Sequence, residues 1–215
     1  MRRLLHGIRV FQQRVFPSIR PRFEQLASGQ NPSTLFITCS DSRIVPELLT
    51  QTDPGELFVL RNAGNLVPPH TAEHTGEAAT IEYAVQVLEV SEIVICGHSH
   101  CGAMAGLLRP DSLQDLPMVR RWLQYAERTR SDMAKQEFDN LSDEQRVVAA
   151  ARANVLVQLD HLRTYPAVAS REKRGKLTLH GWLYRFETGE VESYDPVTGK
   201  FVSVLNVLTR EVSVA

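Results

Sequence analysis

The chain has 215 residues, a length that favours a single domain with a sizeable hydrophobic core. Its 24 Lys and Arg residues nearly balance 25 Asp and Glu residues, and the net charge of −1 gives no support for nucleic-acid binding. The apolar runs are too short to span a membrane, and three cysteines without a signal peptide favour a reducing compartment over disulfide bonds.

The amino-terminal segment, Met1 to Phe16, predicts a basic amphipathic helix. It carries arginines but no acidic residue, and its apolar residues recur at helical spacing: Leu4, Leu5, Ile8, Phe11 and Val15. Such a helix can lie on a membrane or act as a transit peptide. Because it runs into the fold without a linker, we expect it to pack on the protein body or on a second subunit. Pro21 to Ser28 predicts a second helix that stops at Gly29.

Two strands are predicted next. Leu35 to Thr38 is a short apolar run typical of a buried strand, and it leads directly into Cys39 and the polar sequence Ser-Asp-Ser-Arg. Leu57 to Arg61 predicts the following strand, and a short helix that begins at Pro46 separates the two. The loop at the end of the first strand therefore contains a cysteine next to charged residues.

The segment from His70 to His74 matches H-x-x-E-H, a metalloprotease pattern with two histidines one helical turn apart. The pattern is short, two histidines make an incomplete zinc site, and prolines precede it, so we interpret it as a loop that enters a helix. That helix is predicted from Gly76 to Val90 by a broad apolar face in an alanine-rich segment. Loss of activity on mutating both histidines, with Cys39 dispensable, would revive the protease alternative.

The strongest chemical pattern follows this helix. Ile93 to Cys96 predicts a third buried strand, and Cys96 within it is interpreted as a packed thiol. His98 and Cys101 follow the strand at once and have the donor chemistry that suits Zn²⁺. If this strand lies beside the one that ends at Cys39 in a parallel sheet, the two carboxyl ends bring the three side chains together. Three protein ligands with an open fourth position are typical of a catalytic zinc site.

The carboxyl-terminal half predicts helices followed by more sheet. A helical pattern from Ser112 to Phe138 is broken at Pro117. A long helix that ends at Leu162 follows a capping sequence at Ser142. The hydrophobic pattern then changes, and Phe186 to Tyr194 predicts a hairpin.

These elements together predict an α/β fold in one domain that spans residues 1–215. We expect a mostly parallel sheet of four strands, with an edge strand added near Leu177–Trp182 and helices that flank the sheet. Residues 1–29 are predicted to form a helical arm that packs on a partner subunit.

Four motifs make the sequence similar to the β-class carbonic anhydrases: Cys39-Ser40-Asp41-Ser42-Arg43, Arg61-Asn62-Ala63-Gly64-Asn65, Glu82-Tyr83-Ala84-Val85 and Gly97-His98-Ser99-His100-Cys101-Gly102. They occur in the order and spacing of that family, and the resemblance extends from about Phe23 to Trp182. The sequence looks most like the cyanobacterial and plant-type members, but without the long carboxyl-terminal extension of the carboxysomal ones.

The resemblance implies one zinc ion per chain, bound by Cys39, His98 and Cys101, and reversible hydration of carbon dioxide to bicarbonate and a proton. Zinc lowers the pKa of its bound water from about 16 to about 7 and so supplies hydroxide at neutral pH. Asp41 is expected to accept a hydrogen bond from that hydroxide and to orient it, while Arg43 keeps Asp41 ionised. Asp41 and Arg43 are therefore the predicted catalytic residues.

Three further residues are implied to bind the substrate. Gln30 lies nine positions before Cys39, where plant-type and cyanobacterial members have a glutamine that lines the pocket across a subunit boundary. Tyr83 and Phe58 are implied to line an apolar pocket beside the zinc. We therefore expect a homodimer or a larger homo-oligomer, with a tetramer as one possibility.

Two alternatives keep the same zinc site. In one the enzyme hydrolyses carbon disulfide or carbonyl sulfide, as a few relatives do; in the other the site stabilises a catalytically inactive interaction protein. The latter is disfavoured, since a purely structural site is normally closed by a fourth ligand. A cytoplasmic location is expected, and carboxysome residence with carboxysomal partners is less favoured because the chain stops at Ala215. No membrane and no nucleic acid are expected as partners.

Overall fold

The computed structural model of the chain describes residues 1–71, 75–135 and 138–205. Six strands within them form one mixed sheet: β1 (Thr34–Cys39), β2 (Leu57–Asn62), β3 (Glu92–His98), β4 (Thr178–Tyr184), β5 (Val191–Asp195) and β6 (Lys200–Ser203). The strand order across the sheet is β2-β1-β3-β4-β5-β6. The strands β2, β1, β3 and β4 run parallel to one another, whereas β5 and β6 are added in antiparallel orientation.

Helices α3 to α9 lie between β1 and β4 along the chain, whereas α1 and α2 precede β1: α1 (Arg2–Val10), α2 (Phe16–Leu26), α3 (Pro46–Thr50), α4 (Gly76–Gln86), α5 (Gly102–Leu108), α6 (Pro117–Trp122), α7 (Glu127–Met133), α8 (Asp143–Arg163) and α9 (Pro166–Lys173). A π-helical segment, Phe11–Val15, joins α1 to α2. Short 3-10 helices at Pro110–Leu113 and Leu123–Ala126 flank α6. Helical connections are what a parallel sheet requires, because each one must return the chain to the same end of the sheet.

The central strands are apolar on both faces, as expected for buried parallel strands. On β1, Leu35 and Ile37 pack in the core cluster that includes residues of α4 and α8, while Phe36 packs on the opposite face. On β3, Ile93 shares the first face and Val94 the second. Two buried faces explain why these strands appear in the sequence as continuous apolar runs.

The longest helix, α8, lies directly on β3 and β4. It begins with the predicted capping box: Gln145 N–H donates to Ser142 Oγ at 3.3 Å, and Ser142 N–H donates to Gln145 Oε1 at 2.9 Å. Glycine is required where this helix meets β4, because a Cβ atom at Gly181 would lie 2.8 Å from Val155 Cγ1. This close approach packs α8 against the two strands.

The predicted α/β class, the mostly parallel sheet and the amino-terminal helix are confirmed. The predicted edge position of the strand near Leu177–Trp182 is wrong. This strand is β4, the fourth parallel strand, and it lies between β3 and β5. The predicted hairpin supplies β5, because its turn at Gly189 (φ +73°) brings β5 alongside β4, and β6 then pairs with β5.

In the amino-terminal arm, residues 1–29, the helical backbone is continuous from Arg2 to Leu26 and is not divided into two separate helices. The helix continues through Pro21, which lies inside α2, although proline removes one main-chain donor. The arm is tied to the rest of the chain by Arg22, whose Nη1 donates to Asp53 at 2.8 Å. Its apolar residues are exposed: Leu4, Leu5, Ile8, Phe11 and Val15. Packing of this arm on a partner subunit stays a prediction.

Among the helices of the described residues, none combines the length and the apolar character that a membrane span requires.

Candidate metal centre and active site

The candidate site lies at the carboxyl ends of β1 and β3, the two central strands. The chain forms β2 on one side of β1 and then crosses back to form β3 on the other side. This is a topological switch point, where open α/β sheets bind their ligands. Cys39 is the last residue of β1 and His98 the last of β3, so the parallel pairing places both at the same end. Cys101 lies immediately before α5 and completes the group.

The donor atoms of Cys39, His98 and Cys101 all lie within 4.8 Å of one another, and no residue of the three is more than 6% exposed. His98 Nδ1 is 2.7 Å from the main-chain oxygen of Ser99, which can only accept, so Nδ1 carries the ring proton. This leaves a lone pair on Nε2, and Nε2 is buried without a hydrogen-bond partner. A buried, unpartnered nitrogen beside two sulfur atoms has the chemistry of a metal ligand.

A hydrogen bond links the two thiols of this cluster. A hydrogen bond from Cys101, helped by main-chain N–H groups, lowers the pKa of Cys39 to about 4 despite its burial. One of these main-chain donors is Gly64 N–H, 3.4 Å from Cys39 Sγ. The pKa of Cys101 is raised, because Cys101 keeps the proton of that hydrogen bond and is desolvated. A thiolate that forms readily next to a second thiol and an imidazole favours a cation at their centre.

Asp41 and Arg43 follow β1 and form a bidentate ion pair. Arg43 Nε donates to Asp41 Oδ1 at 2.9 Å and Nη2 donates to Oδ2 at 2.7 Å. The main-chain N–H of Arg43 adds a third hydrogen bond to Oδ1 at 3.0 Å. These bonds hold the pKa of the Asp41 carboxyl well below its usual range, so the side chain is an anion at neutral pH. The carboxylate is sheltered (17% exposed), whereas the Arg43 side chain is 51% exposed.

Residues 61–66, which are the last two residues of β2 and the loop that follows, support Cys39 and are called the 61–66 loop. Arg61 Nε donates to the main-chain oxygen of Cys39 at 3.1 Å, and its Nη2 donates to that of Asp41 at 2.8 Å. Gly64 has φ +84°, a left-handed conformation that glycine adopts without strain. In this conformation the N–H of Gly64 lies close to the Cys39 sulfur and donates to it.

Several supporting residues have no signal in the local sequence. Asn154 of α8 and Trp122 of α6 donate side-chain hydrogen bonds to carbonyl oxygens of the 61–66 loop, at 3.0 and 2.8 Å. Phe186, which follows β4, places its ring centre 4.8 Å from that of His98. These residues are distant from the motifs along the chain, and only the tertiary fold brings them to the site.

The predicted substrate-binding residues lie at the opposite end of the sheet from Cys39. In the β1–β2 register, Phe58 is four residues before the partner of Cys39, which corresponds to about 13 Å along the strands. Tyr83 of α4 lies next to Phe58, with ring centres 6.0 Å apart. Gln30 is exposed in a groove beside the first residues of β1 and β2. Within one chain these three residues are therefore separated from the metal cluster, and their predicted role requires a second chain.

Cys96, His100 and His70 lie outside the donor cluster. Cys96 is buried within β3, where burial raises the pKa of its thiol to about 12. His100 has φ +54° and places Nε2 3.3 Å from a carboxylate of α8. Of the H-x-x-E-H pattern, His70 packs its ring against Tyr165 at 5.4 Å, and His74 lies outside the described residues.

The fold and the donor cluster define an α/β enzyme with a candidate metal site at the switch point of its sheet. A family model described as carbonic anhydrase matches residues 34–191. The chain belongs to the carbonic anhydrase family, in its β class. The family prediction from the four motifs is therefore confirmed.

Individual relatives agree with this assignment. The carbonic anhydrase of Synechocystis sp. is 50% identical over 215 residues, which cover 98% of this chain and 78% of the relative. The solved β-carbonic anhydrase CcaA is 50% identical with a TM-score of 0.92, over 94% of this chain and 98% of that one. A structure from Sordaria macrospora, described with another as a tetrameric β-carbonic anhydrase, is 31% identical with a TM-score of 0.71, over 89% and 92% of the two chains.

Proposed function

We propose that the enzyme binds one zinc ion through Cys39, His98 and Cys101 and interconverts carbon dioxide and bicarbonate there. The observation that carries this proposal is the buried His98 Nε2 atom, which has no hydrogen-bond partner and belongs to a cluster with two cysteine sulfur atoms. A buried polar atom left unpaired costs about 1–3 kcal/mol, so a ligand at this position stabilises the site. Two thiolates and a neutral imidazole are donors that suit zinc.

A zinc ion held by three protein ligands would act as a Lewis acid and would lower the pKa of a coordinated water to about 7. Asp41 then orients the attacking oxygen. Its carboxylate has no proton to donate at neutral pH, so a hydrogen bond between the two groups must run from the attacking oxygen to Asp41. Arg43 donates from Nε and Nη2 to the two carboxylate oxygens of Asp41. These two hydrogen bonds keep the carboxylate ionised and fix its plane.

Buried apolar side chains pack against Cys39 and Cys101 and exclude water from the interior side of the cluster. Cys39 and Cys101 pack in one buried cluster with Leu66 and Met104. An apolar backing of this kind lowers the local dielectric, which strengthens the hydrogen bond to the Asp41 carboxylate. The side that Arg43 occupies remains the exposed side of the site.

The enzyme works as a homo-oligomer in this proposal, with Gln30, Phe58 and Tyr83 supplied by a second chain. Two observations support it. Phe58 and Tyr83 lie together about 13 Å along the strands from Cys39 of their own chain, and Gln30 lies beside the first residues of β1 and β2, at the same end of the sheet. The apolar residues of the α1 arm are exposed, and a second copy of the chain would bury them.

A cytoplasmic location fits the cysteine chemistry. All three cysteines are free thiols, and the function proposed for Cys39 and Cys101 requires them reduced. Cell fractionation with an antibody against the protein tests this location, and a carboxysomal fraction is the alternative outcome.

Stopped-flow measurement of carbon dioxide hydration tests the catalytic proposal, with zinc content measured on the same samples. Asp41→Asn keeps the shape of the side chain but removes its charge and its pure acceptor character. We expect kcat/KM to fall about 100-fold with zinc content unchanged, as for other preorganised polar groups at reaction centres. Asp160→Asn is the matched control, because Asp160 pairs with Arg128 on the exposed surface.

Each alternative predicts a different result in this experiment. Full hydration activity in a metal-free sample would exclude the zinc proposal. Bound zinc without hydration activity in the wild type would indicate an inactive zinc-stabilised protein. Hydrolysis of carbonyl sulfide or carbon disulfide in place of hydration would indicate the other substrate class.

A further inference from the structure

Phe186 lies between the two halves of the site. Its ring centre is 4.5 Å from Cζ of Arg43 and 4.8 Å from the centre of the His98 ring. The first distance is that of a cation–π interaction, in which a guanidinium is attracted to the face of an aromatic ring. Phe186 therefore contacts both a candidate zinc ligand and the residue that pairs with Asp41.

Arg43 needs such support because half of its side chain is exposed. A long exposed side chain loses conformational entropy when it is held in one geometry, so an ion pair alone stabilises that geometry little. Its other side-chain hydrogen bond, from Nη2 to the main-chain oxygen of His100, is long at 3.2 Å. The ring of Phe186 contacts the guanidinium and restrains its plane, which keeps both donors directed at Asp41.

Phe186 is itself held by Ser99. The Phe186 N–H donates to Ser99 Oγ at 2.9 Å, and the Ser99 hydroxyl donates to Glu187 at 2.7 Å. Ser99 is fully buried, and its carbonyl oxygen accepts the hydrogen bond from His98 Nδ1. The Tyr184 ring also packs edge-on against the Phe186 ring at 5.2 Å. One serine therefore sets both the orientation of His98 and the main chain of Phe186.

We propose that Phe186 is a positioning residue: its ring holds Arg43 in the geometry that keeps the Asp41 carboxylate oriented. The inference rests on the proposed function, in which Asp41 orients the attacking oxygen. No proton transfer is assigned to Phe186, which has no group that can donate or accept one.

The test compares three variants of the full-length, zinc-loaded enzyme. Phe186→Leu removes the ring and keeps an apolar side chain, whereas Phe186→Tyr keeps the ring. Phe201→Leu is the matched control, because Phe201 on β6 is also half-buried in a ring contact, with Tyr194 at 5.5 Å. We expect kcat/KM to fall about three- to fivefold in Phe186→Leu, the factor that an exposed cation–π contact contributes. Phe186→Tyr and Phe201→Leu should stay near wild type, and zinc content should be equal in all.

A double-mutant cycle with Arg43→Gln separates positioning from general destabilisation. Without the guanidinium the ring has nothing to position. Adding Phe186→Leu to Arg43→Gln should therefore lower kcat/KM by less than about twofold further. A merely structural contribution of the ring would instead lower kcat/KM by the same factor in both backgrounds.

A second readout does not depend on activity. The Nε–H group of Arg43 gives a signal in proton–nitrogen correlation spectra that is assigned by its loss in Arg43→Lys. In Phe186→Leu we expect this signal to shift and to exchange faster with water, because the ring current and the ring contact are lost. In Phe186→Tyr the signal should remain near its wild-type position.

Two results would overturn this inference alone: an Arg43→Gln enzyme that loses activity while Phe186→Leu does not, or an equal loss from Phe186→Leu in both backgrounds. An Arg43→Gln enzyme with wild-type activity would overturn the proposed role of the Asp41–Arg43 pair, and the inference with it. Should Phe186→Leu fail to fold, Phe186→Met replaces it in the cycle and in the spectra, with the same criteria.

Discussion

Arg61 donates a hydrogen bond from Nη2 to the main-chain oxygen of Asp41, 2.8 Å away on a neighbouring loop. The same guanidinium donates from Nε to the main-chain oxygen of Cys39 at 3.1 Å. Arg61 lies on β2, where its register partner on β1 is Thr38. A single side chain from the adjacent strand therefore fixes the main chain at both a candidate zinc ligand and the carboxylate that is proposed to orient the attacking oxygen.

Replacing Arg61 with Gln should weaken zinc binding and lower activity together, because both carbonyl contacts are lost. We expect zinc affinity and kcat/KM each to fall about tenfold, as for other groups that orient metal ligands. Zinc affinity is measured by competition with a chromophoric chelator. Arg128→Gln, which removes an exposed ion pair with Asp160, is the control and should bind zinc as the wild type does. Unchanged zinc affinity in Arg61→Gln would contradict the prediction.

Gln30 and Asp41 lie at opposite ends of the sheet in one chain, so a site that uses both must be built from two chains. Asp41→Asn and Gln30→Ala proteins should each be impaired. When the two are unfolded together, mixed and reassembled, one site of each mixed dimer combines wild-type Asp41 with wild-type Gln30. We therefore expect the mixture to hydrate carbon dioxide faster than either parent, as measured by stopped flow.

The control for this complementation mixes Gln30→Ala with Phe58→Ala. Both residues are proposed to come from the same side of the subunit boundary, so every site in a mixed dimer contains one of the two substitutions. This mixture should gain no activity over its parents. If the mixture of Asp41→Asn and Gln30→Ala proteins also gains no activity, the proposal that two chains share one active site is wrong.

Zinc removal should make Cys39, whose pKa is lowered to about 4, available for alkylation but leave Cys96 unmodified. Cys96 is fully buried in β3, and burial raises the pKa of its thiol to about 12. At pH 8 almost none of it is thiolate, which is the reactive form. Peptide mapping after chelation and treatment with iodoacetamide should therefore find Cys39 modified in the native chain and Cys96 only after denaturation. Modification of Cys96 without denaturant would show that β3 opens when the metal is lost.

The candidate ligands could be predicted from the sequence because each one depends on a local pattern. Buried parallel strands are recognised from their own residues, and Cys39 and His98 end two of them. Parallel strands share one carboxyl end, so adjacency of β1 and β3 was the single tertiary assumption needed. Asp41 and Arg43 follow Cys39 within the same loop and needed no further assumption.

What could not be predicted depends on pairing between distant parts of the chain. The β4 sequence is compatible with an edge or an inner strand, and only its pairing with β3 and β5 decides the position. Phe186 is an ordinary hairpin residue and Asn154 an ordinary helix residue until the fold places them at the site. Likewise, the helical spacing of apolar residues near Pro21 does not show that the helix continues through this proline.

Tyr165 makes the free energy of unfolding depend on pH in the alkaline range. Its hydroxyl donates to the main-chain oxygen of Pro68 at 2.7 Å, and the residue is 5% exposed. Burial, with a smaller effect from the charge of Glu77, raises the pKa of Tyr165 from about 10 to about 12. Between these two values only the unfolded chain ionises. The stability that Tyr165 contributes below pH 10 is therefore lost as the pH rises from 10 to 12.

Tyr165→Phe should consequently cost about 1 kcal/mol of unfolding free energy at pH 8, the usual contribution of one hydrogen bond. At pH 11 the cost should vanish, because ionisation of the unfolded wild type lowers its stability by about 1.4 kcal/mol per pH unit above 10 while the Phe variant has no such group. Denaturant titrations of both proteins at the two pH values measure this difference. An equal cost at pH 8 and pH 11 would mean that the folded and unfolded chains ionise Tyr165 alike, contrary to its burial against Pro68.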